Sequence, residues 1–209
     1  MQNKIQAILI KLGFCLKDAE CVSRDILDTY GAKGREYHGI NHIANMLSEF
    51  QNFVLNSDCA DAIKNVDEFV FAIVMHDYIN GTKQDVSDSA KCAKEFLKRL
   101  DKNYDCEYVE KLILATDYEN CEQVDFDQQL IQDLDLQKLG ADELEYDGNA
   151  FKIREEYKKY PDEIFNEKRV QVLKMFLDKD FIFNTKYYRD KYEKIARDNL
   201  QREITKLSS

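Results

Sequence analysis

The chain has 209 residues, 44% hydrophobic and 33% charged, which is enough to bury one sizeable core. Its 30 Lys and Arg face 40 Asp and Glu, and a net charge of −10 argues against a nucleic-acid polymer as partner, because phosphate backbones would be repelled. A small phosphorylated molecule is not excluded, since a metal and a few basic groups reverse the local field inside one pocket.

One proline and seven glycines leave long stretches without helix breakers, so the expected class is all-α, as one domain over residues 1–209. The longest strongly apolar run, Phe69 to Met75, falls far short of the roughly 20 residues that span a bilayer, so no membrane partner is expected. Six cysteines lie in the first 121 residues with no CxxC pair, and the first residues lack the pattern of a signal peptide. Reduced thiols and a cytoplasmic location are the expectation.

In chain order, residues 2–12 and 16–29 predict two short amphipathic helices, separated near Gly13 and closed by the Gly31 to Gly34 segment. From Glu36 to about Val54, Ile40, Ile43, Leu47, Phe50 and Val54 recur at three- and four-residue steps and mark one buried face. The segment "DEFVFAIVMHDY" suits strand or helix by periodicity, and its context favours helix, ended by "INGT" around Gly81. Ser87 reads as the N-cap of a helix through Leu100. Another helix is expected from Asp105 to about Asp117, then one from Asp125 that Gly140 terminates. Residues 149–160, 162–178 and 184–206 carry the last helical patterns, with Pro161 between the first two.

The three histidines, His38, His42 and His76, fall in two short segments, and Asp77 follows His76 directly. At i and i+4 on a helix, His38 and His42 share a face and turn two imidazoles toward one place. Such a pair also occurs as surface or capping chemistry, and Asp135 alone reads as a solvated carboxylate. Imidazole with carboxylate suits Mn, Fe, Ni or Zn better than Mg or Ca, which favour oxygen cages. Asp133 and Asp135 sit about 200° apart around a helix, so one of them at most enters a shared site, and periodicity does not choose between them.

The order His, His-Asp, Asp resembles the HD superfamily of metal-dependent phosphohydrolases. The stretches "REYHGINHIANML", "FAIVMHDYI", "DLDLQKLGADELEYDGNAFKIREEY" and "ARDNLQREITKL" look like its bacterial predicted phosphohydrolases, over about Tyr30 to Leu207. The resemblance implies a phosphodiesterase-like helical bundle, with a core motif region of about 30–140 and C-terminal helices 149–207 packed on it. It also implies one divalent metal on His42, His76, Asp77 and Asp135, and metal-activated attack of water on a small phosphate ester such as a nucleotide. The first stretch is similar to the "YHxxxHxxxV" segment of cyclic-nucleotide phosphodiesterases, which makes His42 the ligand and His38 the acid; alignment to the generic HD pattern makes His38 the ligand instead. Asp77 and Asp135 would orient the water, and "LDLQKLG" assigns the last ligand to Asp135, with Asp133 as fallback. Arg35, with Lys33 beside it, and Arg154 are the candidate phosphate-binding cations, although Arg154 equally suits an ion pair across helices. Tyr37 and Tyr78 flank the motif and are expected to wall the pocket.

Two departures bear on activity. Val86 stands where the family pattern has a glutamate near the site, with Asp85 and Asp88 beside it, and Asp117 with Tyr118 stands where a further histidine is common. The second favours one metal over two. Both leave room for an alternative, a weak or inactive HD-domain protein that binds metal and nucleotide for regulation.

Overall fold

A computed structural model describes residues 1–82, 84–100, 104–118, 120 and 124–208. The described residues hold ten α-helices and no strand, so the chain is all-α. None of these helices is long and apolar enough to cross a membrane. Backbone contacts gather into two compact units, Met1–Ala32 with His38–Ile131 and Lys33–Tyr37 with Gln132–Ser209.

The first unit contains α1 (Gln2–Lys11), α2 (Leu16–Tyr30), α3 (Ile40–Asn56), a 3₁₀ turn at Ala60–Ala62, α4 (Val66–Met75), α5 (Asp85–Lys98) and α6 (Cys106–Leu114). Asn65 starts α4 by accepting the Glu68 N–H, and Asp67 and Glu68 place negative charge at the positive end of the helix dipole. Phe69 and Phe71 to Met75 are all buried, because α4 packs against α1, α3, α5 and α6. That all-round burial is why alternation could not separate strand from helix. Each large apolar side chain so buried contributes about 1.5–3 kcal/mol.

Within the first unit, three helices have boundaries that depart from the sequence expectation. Helix α3 begins at Ile40 rather than Glu36, with Gly39 as N-cap, so His38 lies in the preceding turn and not on the helix with His42. Helix α5 begins at Asp85, whose carboxylate takes the N–H groups of Gly81 and Thr82, while Ser87 donates back to the Gln84 carbonyl instead of capping. Helix α6 stops at Leu114.

Helix α7 (Phe126–Leu136) opens with a reciprocal capping box: Asp125 accepts the Gln128 N–H and Gln128 accepts the Asp125 N–H. The division between units falls within it, after Ile131. In the second unit it runs into a 3₁₀ turn, Gln137–Gly140, followed by α8 (Glu143–Glu156), α9 (Asp162–Leu177) and α10 (Lys186–Leu207). Helix α8 starts six residues before the expected 149, capped by Asp142 on the Glu145 N–H; Gly148 sits in its exposed interior rather than ahead of it. Gly140 is required by contact: an added Cβ would lie 2.5 Å from Tyr192 Cβ on α10. Asn199 secures the same approach by donating to the Leu139 and Ala141 carbonyls.

Asp133 is fully buried and accepts hydrogen bonds from the Asn184 and Thr185 backbone N–H groups, the Thr185 hydroxyl and the Asn184 amide. It thus satisfies donors at the start of α10 from another helix. Burial pushes its carboxyl up to about 6 against the pull of these four donors. Asp133→Ala is expected to cost about 2–4 kcal/mol in urea unfolding at pH 7, because it strands the two buried backbone donors. The folded value is raised, so the stabilisation linked to Asp133 is full below about pH 4 and is lost as pH rises through about 6. The gap between wild type and Asp133→Ala should accordingly be widest near pH 4.

Candidate metal centre

His42 lies in the first turn of α3 and is 4% exposed; His76 is the residue on which α4 closes and is 1% exposed. The tight packing of α4 leaves His76 little rotational freedom. Its Nδ1 lies 2.9 Å from the Ile73 carbonyl, which only an N–H can satisfy, so in the neutral ring the Nε2 atom carries the lone pair. That Nε2 sits 3.1 Å from His42 Nε2 and 3.1 Å from Asp77 Oδ2, with His42 Nε2 3.6 Å from the same oxygen.

Two imidazole nitrogens and a carboxylate oxygen at this separation are stabilised by positive charge between them, a proton or a cation. The three edges also allow a point roughly 2.1 Å from every atom, the length of Zn–N and Zn–O bonds at roughly 2.0–2.2 Å. The donor chemistry and the geometry therefore both fit one divalent metal. Asp77 feels opposing influences: burial disfavours its charge, but His76, by charge and hydrogen bond, and then His38 and His42 outweigh this and hold the carboxyl well below the usual range. The hydrogen bond from His76 to a backbone carbonyl is the outer contact that fixes ring orientation in many metal sites.

No family model, curated protein or solved structure matches the chain.

Of the residues singled out in the sequence, the first unit brings together His42, His76 and Asp77. His38, half-buried, places its ring edge-on to His42 with centroids 5.8 Å apart. Asp135 is half-buried on the part of α7 that belongs to the second unit, where the neighbouring Asp133 carboxylate is committed to the α10 start. Arg35 is half-buried and Lys33 exposed in the short segment assigned to the second unit. Arg154 donates to Asp162 through Nε and Nη2 and to the Tyr160 carbonyl, and its guanidinium covers the Phe165 ring at 4.8 Å, so the arrangement seen is the ion pair across helices.

Tyr78 turns its hydroxyl to Asp25 at 2.6 Å and sets its ring edge-on to Phe96, which braces it on α2 and α5. Tyr37 belongs to the second unit, where its N–H meets Glu156. Asp85 and Asp88, the neighbours of Val86, are occupied locally by the Gly81 and Thr82 N–H groups and by Lys91. Asp117 accepts from Asn120.

Two supporting residues carry no motif of their own. Tyr30, fully buried at the end of α2, donates to the Val74 carbonyl at 2.9 Å, one of the carbonyls left open where α4 ends. Ser89, buried on α5, accepts the Ile79 N–H at 2.9 Å and so fixes the backbone two residues beyond Asp77. Tyr30→Phe should lower unfolding stability by about 1–2 kcal/mol, read from the urea midpoint, because the Val74 carbonyl loses its partner in a dry environment.

Proposed function

We propose that the chain is a metal-dependent phosphohydrolase for a small phosphate ester, a nucleotide being the first substrate to test. His42, His76 and Asp77 would hold one divalent ion, Mn, Fe, Ni or Zn in preference to Mg, and Asp135 is a fourth ligand on the family resemblance alone. The observation that carries this reading is the convergence of His42 Nε2, His76 Nε2 and Asp77 Oδ2 within 3.1–3.6 Å of one another. The ion, when bound, supplies Lewis acidity toward a phosphoryl oxygen and lowers the pKa of a coordinated water toward about 7.

The remaining work falls to side chains. Both imidazoles are buried, His76 with a fixed lone pair, and Asp77, whose side chain is 21% exposed, is the member of the three that solvent reaches most. It orients a water by accepting its hydrogen bond. His38 in its protonated form donates to the departing oxygen, and its place beside His42 but outside the three-atom cluster suits an acid better than a ligand. Arg35 offers paired N–H donors to phosphate oxygens. Arg154 would have to release Asp162 to do the same.

A second reading, a module that binds metal and nucleotide without turnover, is favoured by Val86 and by the local engagement of both neighbouring carboxylates. Elemental analysis of protein purified without a metal-affinity tag should give about one transition metal per chain, falling close to zero in His76→Ala and Asp77→Ala. Absence of metal in wild type after reconstitution with Mn, Ni and Zn would overturn both readings.

On Mn- or Ni-loaded protein, a panel of phosphomonoesters and nucleotides should reveal turnover that Asp77→Ala abolishes. His38→Ala should keep the metal yet lose about 10²–10⁴-fold in kcat. Tight nucleotide binding with no turnover across the panel would select the second reading.

A further inference from the structure

Helix α8 carries an apolar face that the described residues leave largely uncovered. Leu144 is 86% exposed and Phe151 65% exposed, and at i and i+7 they point the same way. Gly148 lies between them on that face, and nothing stands within 4 Å of the position its Cβ would take. Single exposed apolar residues are ordinary on protein surfaces. Two large ones on one helix face, bracketing an open glycine, form a contact strip.

Phe151 also walls a groove of about 420 Å³, lined by Ala150, Phe165 and Leu207 together with charged side chains that include Asp147 and Lys206. The strip also has a charge pattern. Glu145 and Lys152 fall on the same flank of the strip, near opposite ends, and both are exposed.

We propose that α8 pairs with α8 of a second copy of this chain, antiparallel, about a two-fold axis beside Gly148. Antiparallel pairing sets Leu144 against the partner's Phe151 and Glu145 against the partner's Lys152, each contact occurring twice as an isologous interface requires. Gly148, lacking a side chain, lets the two backbones approach at the axis. Asp147, which the axis brings toward its own copy, is already neutralised by Arg202 at 2.6 Å and Lys206 at 2.8 Å. Glu145 already meets Lys138 within its own chain, so the partner's Lys152 completes a cation pair around one carboxylate. A strip of this length is smaller than a standard interface of about 800 Å² per partner, so the dimer is weak and concentration-dependent.

Sedimentation velocity on the full chain from 5 μM to 1 mM tests this. The weight-average mass should rise from 24.6 kDa toward twice that value. Leu144→Asp should remain monomeric throughout. Glu145→Lys and Lys152→Glu should each associate at least tenfold more weakly, since each homodimer then holds two repulsive pairs. A 1:1 mixture of these two variants restores attraction at both contacts and should recover wild-type association. Circular dichroism verifies that all three variants are folded. A monomer at every concentration, a dimer that survives Leu144→Asp, or a mixture no tighter than its components would each overturn the proposal.

Discussion

The hydrogen bond from His76 Nδ1 to the Ile73 carbonyl ties the chemistry of the first unit to the way α4 ends. One carbonyl of the last helical turn would otherwise lack a partner, and the imidazole supplies it. In doing so the ring loses its freedom of tautomer and rotation, and Nε2 is held toward His42 and Asp77. Helix termination and site preorganisation are thus the same event. Tyr30 and Ser89 act on either side of it, one on the Val74 carbonyl and the other on the Ile79 N–H. A cluster built this way would have little to rearrange on binding a cation, which is the condition for tight and specific binding.

The second unit is held by different means. Its apolar core is supplemented by buried polar groups that reach across elements: Asp133 to the start of α10, Asn199 to the turn at Gly140, and Glu203 between Tyr146 and Arg169. Arg169 engages Glu203 through two nitrogens, the geometry that makes an arginine–carboxylate pair directional. Such groups fix register more than they add stability, since each charge was costly to dry and each now depends on its partner.

Local signals recovered those helices whose ends are written in adjacent residues. Asp125 with Gln128, and Pro161 ahead of α9, mark boundaries that a one-turn window contains. The start of α8 escapes the apolar pattern from 149 onward because the cap that sets it, Asp142 on Glu145, lies ahead of that pattern, and the helix carries Gly148 on an exposed face. The start of α3 was misplaced because apolar spacing from Ile40 onward does not say where the helix begins, and Gly39 closes it off from His38. His42, His76 and Asp77 were legible as a group because the sequence concentrates its histidines beside a buried run. The roles of Tyr30, Ser89 and Asp133 were not, since each depends on a backbone atom brought close only by the fold.

The account turns on whether His42, His76 and Asp77 hold a cation. Anomalous diffraction from crystals grown with Mn²⁺ or Ni²⁺ addresses that directly, because it reports the position of the ion and not only its presence. The account predicts a peak roughly 2.0–2.3 Å from His42 Nε2, His76 Nε2 and an Asp77 carboxylate oxygen. A peak elsewhere, or none after loading with both metals while the three side chains keep their places, would contradict it.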